Sequence, residues 1–282
     1  MKTSNKLLIA LAISLIIIPI VVIAINVKMN YRDKNTFFKH LKENKNFNTP
    51  LEGFETKEIP TFSAININNG NDAHINFNII KSNKSGIKIP VDLMQVYDFN
   101  VDDKQILQIK LKQNPKKLTY SVTIYVYTND VNLLTIEKAN GFTLDISTDS
   151  LTMIAKNVDR LSFEENSNVR SLKLVTEKVK ELNFFDSKGI KNIDLELSES
   201  NFHTFRSIYQ SLKISSFGNS NIEIDGDKAE KDKYFIEDLK INTNGKSTVT
   251  LSDIKVNKIS GSLSDSTNVV MPAISLKQML KN

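Results

Sequence analysis

The chain has 282 residues, a formal net charge of +5, and neither cysteine nor tryptophan. The absence of cysteine excludes disulfide bonds, thiolate zinc sites and cysteine nucleophiles. The length is sufficient for one membrane segment and one or two folded units.

The positive charge is concentrated at the amino terminus. Residues 1–49 carry eight basic and two acidic side chains, whereas the rest of the chain carries 29 basic and 30 acidic side chains. Nucleic-acid binding domains carry clustered basic charge on the folded domain itself. The nearly neutral main part therefore argues against nucleic acid as a partner.

The first predicted element is a transmembrane helix. From Leu7 to Val27 the chain has no charged residue, and this length as a helix matches a hydrocarbon core of ~30 Å. We predict an N-terminal membrane anchor over residues 1–30, with the membrane as partner through residues 7–27. An uncleaved signal-anchor is favoured because the apolar run exceeds the roughly 7–15 residues of a signal peptide core. A cleaved signal peptide stays open.

This anchor predicts a single-pass membrane protein with its bulk domain in the periplasm or on the cell surface. The basic residues that follow the apolar run would instead favour the cytoplasm by the positive-inside rule, so the side of the membrane stays open. Residues 31–53 are predicted as a juxtamembrane linker. Within it, Tyr31–Phe47 forms either an interfacial helix or an extension of the membrane helix.

Residues 54–131 are predicted as a strand-rich cap. Residues 62–68 and 73–79 alternate in polarity on either side of a turn rich in Asn and Gly, which predicts a β-hairpin. Residues 105–111 and 120–127 read as two further strands. This sheet would cover the first repeat, because an uncovered end exposes unpaired strand edges.

Residues 132–272 contain about seven copies of one pattern. Each copy has an apolar-x-apolar triplet, a polar stretch, and a second such triplet; Leu172–Leu174 with Leu182–Phe184 and Leu212–Ile214 with Ile222–Ile224 are examples. In the fourth copy, Ile193–Leu195 is followed by Phe202 and Phe205. The triplets alternate like half-buried strands, and each unit of about 20 residues buries its apolar face by stacking on the next.

The predicted fold class is therefore all-β. We expect a parallel β-helix or solenoid of about seven rungs with an N-terminal strand-rich cap, preceded by one transmembrane helix. Residues 273–282 would form a C-terminal cap with a short helix. An antiparallel sandwich with evenly spaced strands is the alternative.

Several segments resemble the head GIN domain family. Residues 121–126 read Ser-Val-Thr-Ile-Tyr-Val, residues 133–141 read Leu-Leu-Thr-Ile-Glu-Lys-Ala-Asn-Gly, and small polar residues precede the strands at 219–222, 246–249 and 265–269. The resemblance covers roughly residues 60–272. It implies a β-helical surface or periplasmic domain of the kind proposed as auto-transporter adhesins in Bacteroidetes-type bacteria. It assigns no catalytic residue.

The candidate partner-binding residues are the lysines at the centre of the first triplets: Lys173, Lys213, Lys240 and Lys258. Stacked in register, they would form an outward cationic stripe for acidic glycans. The alternative is that they keep a solvated β-face soluble and block strand addition. Asp194 would partly neutralise the stripe.

No catalytic, cofactor-binding or metal-binding pattern stands out in the sequence, and no cofactor is expected. Acidic residues are scattered, and His203 reads as a rim histidine beside Phe202. Residues 225–237 lengthen one repeat; Asp225-Gly226-Asp227 lacks the later ligands of a calcium loop, so a solvated loop that contacts a partner is favoured.

The sequence therefore predicts a membrane-anchored, non-enzymatic envelope protein that binds a glycan or a protein partner like an adhesin. One alternative is a structural scaffold that self-associates through the edges of its rungs. Another is a carbohydrate-active enzyme. The oligomeric state stays open.

Overall fold

The computed structural model describes residues 3–30, 46–112, 121–230 and 232–281, and the chain divides into two compact units, Met1–Asn46 and Phe47–Asn282. The first unit contains helix α1, Thr3–Asn30, which includes Pro19. The predicted interfacial helix and linker fall largely on residues 31–45, outside the described residues.

The prediction of a membrane span is wrong. A span requires about 20 consecutive, predominantly apolar residues in one helix. No helix in the described part of the chain combines the necessary length and apolar character. The structure therefore contradicts the predicted transmembrane helix over residues 7–27. It also contradicts the single-pass membrane localisation that was derived from this helix.

The second unit is built from strands. Those before the repeats are β1 Phe54–Glu58, β2 Ala64–Ile67, β3 His74–Lys81, β4 Gly86–Pro90, β5 Tyr97–Val101, β6 Ile106–Leu111 and β7 Ser121–Thr128. Those of the repeats are β8 Leu133–Phe163, β9 Asn168–Glu177, β10 Glu181–Phe185, β11 Asn192–Ser198, β12 Phe202–Phe205, β13 Tyr209–Phe217, β14 Ser220–Asp225, β15 Phe235–Asn244, β16 Ser247–Ser252, β17 Lys255–Ser262 and β18 Asn268–Val270. A 3₁₀ helix spans Val91–Gln95 and helix α2 spans Ala273–Met279.

The repeat strands stack in two parallel columns of one curled sheet. Column A contains β9, β11, β13, β15 and β17. Column B contains β10, β12, β14, β16 and β18. The long strand β8 contributes to both columns, since it pairs in parallel with β9 and with β10. From β9 to β16, each strand therefore pairs with the strand two places further along the chain.

The predicted hairpin is wrong. Strand β2 pairs in parallel with β6 and β8, whereas β3 pairs in parallel with β7 and β8. The two strands lie in different columns, because the turn between them carries the chain around a corner. Antiparallel pairs occur where β4 meets β1 and β7, and where β5 meets β6.

The predicted fold class is wrong in the form stated above. The strands before residue 132 belong to the same 18-stranded sheet as the repeats, because β2 and β3 pair directly with β8. The predicted membrane-spanning helix is also missing from the described residues. The architecture is an all-β, curled and largely parallel sheet.

The core lies between the two columns. Alternate residues of each strand are buried, and they include Leu195 and Ile214 in column A and Leu182 and Ile222 in column B. In β12, however, Phe202 and Thr204 are buried and Phe205 faces outward, contrary to the predicted pair of phenylalanines. The buried Thr204 hydroxyl is satisfied by the Tyr209 hydroxyl at 2.8 Å.

The corners between column A and column B share a positive backbone φ. A residue with positive φ lies at each of six corners: Lys138, Asn157, Lys178, Glu199, Gly218 and Gly245. The left-handed conformation costs a residue with a side chain roughly 1–2 kcal/mol. Glycine avoids this cost at the last two corners, where the Gly245 backbone packs directly on Gly218.

Buried serines satisfy the backbone near other corners. Ser207 is fully buried; its hydroxyl accepts a hydrogen bond from the Ser187 N–H at 3.2 Å and lies 3.3 Å from the Phe184 carbonyl oxygen. Ser200 acts similarly, since its hydroxyl accepts from the Val179 N–H at 3.0 Å. These serines connect one turn of the chain to the next.

The Ser207→Ala substitution is expected to lower the free energy of unfolding by about 1–3 kcal/mol, because it leaves the Ser187 N–H buried without an acceptor. Urea denaturation measures the change. Ser215→Ala, at a half-buried outward position of β13, is the control and should stay within about 0.5 kcal/mol. Equal losses in the two variants would show that the Ser207 hydroxyl has no special role.

Candidate functional site

The predicted lysines fall into two lines on the outside of column A. Lys173, Asp194, Lys213 and Lys240 lie in register on consecutive strands. Lys258 lies in register with Asp238 instead, two residues away from the line of Lys240. The predicted single stripe of four lysines therefore becomes a line of three, interrupted by an aspartate, with a fourth lysine beside it.

Acidic neighbours compensate most of this positive charge. The Nζ of Lys173 lies 2.8 Å from Glu196 Oε1, that of Lys213 lies 3.1 Å from Asp194 Oδ2, and that of Lys258 lies 3.7 Å from Asp238 Oδ2. The hydrogen bond from Lys173 to Glu196 raises the pKa of this lysine. Such exposed pairs contribute little stability, and they leave a mixed rather than a strongly cationic surface. Partner binding by the four lysines stays a prediction.

A different feature lies on the outside of column B. A groove of about 600 Å³ runs across β10, β12 and β14, and we call it the column B groove. Asn183, His203 and Glu223 lie in register along its floor. The alternation of the strands explains this placement, because residues between two buried positions face outward.

Asparagine side chains in the groove are held in defined orientations. Asn201 donates from Nδ2 to the Lys180 carbonyl oxygen at 2.9 Å and accepts the Asn221 N–H at 3.0 Å. Asn221 donates from Nδ2 to Glu223 Oε1 at 2.7 Å. Fixed amides of this kind offer directional donors and acceptors to a polar ligand.

An exposed aromatic ring lines the same groove. The Phe185 side chain is 46% exposed, although the preceding residue Phe184 is buried. Its ring meets the His203 ring edge-on at a centroid distance of 5.1 Å. At the other end of the groove, Arg160 and Glu181 form an ion pair at 2.9 Å. The lining of the groove thus combines an apolar ring with polar and charged groups.

A second depression of about 610 Å³ shares His203 with the column B groove and contains Asp225 and Asp227. His203 Nε2 lies 3.2 Å from Asp225 Oδ2, and the Ser252 hydroxyl donates to Asp225 Oδ1. Arg206 lies 2.6 Å from Asp227 Oδ2. The Asp227 pKa is lowered, first by the hydrogen bond from the Ala229 N–H and then by Arg206. The first residues of the inserted loop are therefore held by Arg206, which directly follows β12.

The comparisons with known proteins give structural similarities alone. No protein-family model and no curated protein matches the chain. The fold is similar to a proposed adhesin from Parabacteroides distasonis, with 11% identity over 77% of this chain and 92% of that chain and a TM-score of 0.47. It is also similar to a proposed adhesin from Bacteroides fragilis, with 15% identity over 78% and 96% and a TM-score of 0.44.

A third similar structure is a proposed lipid-binding protein from Parabacteroides distasonis. It is 10% identical over 78% of this chain and 94% of that chain, with a TM-score of 0.42. At such identities and TM-scores, these similarities assign neither a family nor a ligand to this chain.

Sequence reasoning missed the column B groove because its residues are distant in sequence. Asn183, His203 and Glu223 are separated by 20 residues at each step, which is the length of one repeat. Scanning outward positions at that offset would have brought the three together. The same scan would have placed His203 beside the Glu223 carboxylate rather than alone on a rim.

Proposed function

We propose that this chain is a non-enzymatic binding protein whose column B groove holds a glycan. The observation that carries the proposal is that the exposed Phe185 ring and the oriented side chains of Asn201 and Asn221 line one groove. Sugar rings present apolar C–H faces and a rim of hydroxyl groups. An aromatic ring and fixed amides in one groove together complement both surfaces.

The charge of the groove favours a neutral or weakly charged sugar. Arg160 is paired with Glu181 and Lys180 is paired with Asp159, so neighbouring carboxylates compensate both cations of the groove. An acidic glycan would instead require uncompensated cations. The sequence predicted a glycan site at the lysines of column A. The proposal places that site in the column B groove instead. Membership of the head GIN domain family would be consistent with it.

The experiment is a glycan array with the purified full-length chain, followed by calorimetric titration of the best ligand. We expect Phe185→Ala to weaken binding about tenfold, which is roughly 1.4 kcal/mol, because it removes the ring that covers the sugar face. The control is Phe217→Ala on column A, since Phe217 is also 46% exposed.

Two outcomes would contradict the proposal. One is a loss of binding in the Lys173→Ser, Lys213→Ser double variant while Phe185→Ala binds normally, which would return the site to column A. The other is cleavage of the bound polysaccharide, which would favour the hypothesis of a carbohydrate-active enzyme.

A scaffold is the second candidate, and the end of column B favours it. The short strand β18 pairs with β16, and Val270 on it is 62% exposed. At the end of column A, helix α2 instead packs on β17 and buries Met279. Analytical ultracentrifugation tests self-association through β18: a concentration-dependent oligomer that Val270→Lys dissociates would support the scaffold.

A further inference from the structure

One imidazole and two carboxylates lie together where the column B groove meets the second depression. Ligand atoms of His203, Glu223 and Asp225 all lie within 4.8 Å of one another. A nitrogen donor and two negatively charged oxygen donors form a set that binds divalent metal ions in proteins. The three residues belong to two neighbouring strands, so the sheet itself positions them.

The parallel register explains how the three side chains meet. His203 on β12 lies directly opposite Glu223 on β14. Glu223 and Asp225 are two residues apart on the same strand, and they therefore project from the same face. The pairing of β12 with β14 therefore fixes the relative positions of the three backbones.

Each carboxylate is held through one of its two oxygens. Asn221 Nδ2 donates to Glu223 Oε1 at 2.7 Å, and the Ser252 hydroxyl donates to Asp225 Oδ1. Each group thus keeps a second oxygen for a ligand. In metal sites, hydrogen bonds of this kind from neighbouring side chains orient the coordinating groups and raise the metal affinity.

The His203 Nε2 atom supplies an independent observation. It is shielded from solvent and makes no hydrogen bond within the described residues, although Asp225 Oδ2 is 3.2 Å away. Shielded polar atoms usually have a hydrogen-bond partner. A nitrogen and an oxygen that are close but not aligned as donor and acceptor can both direct lone pairs at a third atom placed between them.

We propose that His203, Glu223 and Asp225 form a binding site for a divalent transition-metal ion, with Zn²⁺ as the best-matched probe. Zn²⁺ takes imidazole nitrogen and carboxylate oxygen at about 2.0–2.2 Å, so donor atoms up to 4.8 Å apart must approach one another slightly. The side chains of His203 and Asp225 are 35% and 26% exposed and can rotate to do so. The site does not depend on glycan binding.

The test is isothermal titration calorimetry of the full-length chain with ZnCl₂, MnCl₂ and CaCl₂ at pH 7.5. We expect one Zn²⁺ per chain, weaker Mn²⁺ and still weaker Ca²⁺ binding, because imidazole favours the transition metals. His203→Gln, Glu223→Gln and Asp225→Asn should each weaken Zn²⁺ binding at least tenfold.

The controls are His74→Gln and Glu196→Gln, which change a histidine and a glutamate outside the cluster and should leave Zn²⁺ binding unchanged. Circular dichroism checks that every variant folds. Zn²⁺ binding that survives the triple substitution of His203, Glu223 and Asp225, or no binding by the native chain, would overturn the proposal.

Discussion

Replacing Phe184 by alanine is expected to lower the free energy of unfolding by about 3–5 kcal/mol. Phe184 is 1% exposed; its ring stacks on Phe163 at 4.9 Å and meets Phe202 at 5.9 Å. These rings come from three consecutive strands of column B. Because hydrogen bonds on both sides hold these strands in place, the neighbours cannot collapse into the space that the missing ring leaves.

Urea denaturation followed by far-ultraviolet circular dichroism measures this loss. The matched control is Phe185→Ala, which removes the same side chain from the next residue on the exposed face and should cost less than about 1 kcal/mol. If Phe184→Ala does not fold, Phe184→Leu keeps the test open, with an expected loss of roughly 1–2 kcal/mol. Equal losses at positions 184 and 185 would contradict the assignment of these two faces.

The second large effect is expected in alkaline solution, where ionisation of Tyr209 lowers the free energy of unfolding. Tyr209 is fully buried; burial raises its pKa to about 12, although hydrogen bonds from its surroundings partly oppose this rise. An unfolded tyrosine ionises near pH 10. Because the folded-state pKa is higher, the stabilising contribution is complete below pH 10 and is lost as the pH rises toward 12.

At pH 11 the loss from this residue is about 1.4 kcal/mol, which corresponds to one pH unit above the unfolded pKa. The Tyr209→Phe variant should escape this loss. It should nevertheless be less stable by about 1–2 kcal/mol at pH 8, because it leaves the buried Thr204 hydroxyl without its 2.8 Å partner. The two stabilities should therefore converge between pH 8 and pH 11.

Urea denaturation of both proteins at pH 8 and pH 11 measures the convergence. Burial also raises the pKa values of Tyr97 and Tyr127, but these residues are the same in both proteins, so their effects cancel in the comparison. Phe185→Ala is the control, and it should keep the native difference between the two pH values. A constant gap between native and Tyr209→Phe stabilities would contradict the raised pKa.

The local residue pattern was enough to predict an all-β chain with short, half-buried strands. Alternating apolar residues such as Leu172 and Leu174 decide which face of a strand is buried, and this depends on neighbours within a few positions. The repeat of about 20 residues likewise placed equivalent residues such as Leu195 and Ile214 in register. These features are local or periodic, so they can be recognised from the sequence alone.

The hairpin, the cap and the column B groove depended on which strands became neighbours. Turn residues at 68–72 favour a change of direction, but they do not determine whether the chain folds back on itself or continues around a corner. Parallel stacking of β2 and β3 on β8 decided this. That stacking depends on the total apolar surface that the two columns bury together.

The proposed metal site has the same origin. His203 and Glu223 are separated by one repeat and became neighbours when β12 paired with β14. Asn221 and Ser252, which orient the two carboxylates, come from β14 and from the next strand of the column, β16. The residue types were present in the sequence, but their convergence required the register between strands, which arises only when the whole sheet assembles.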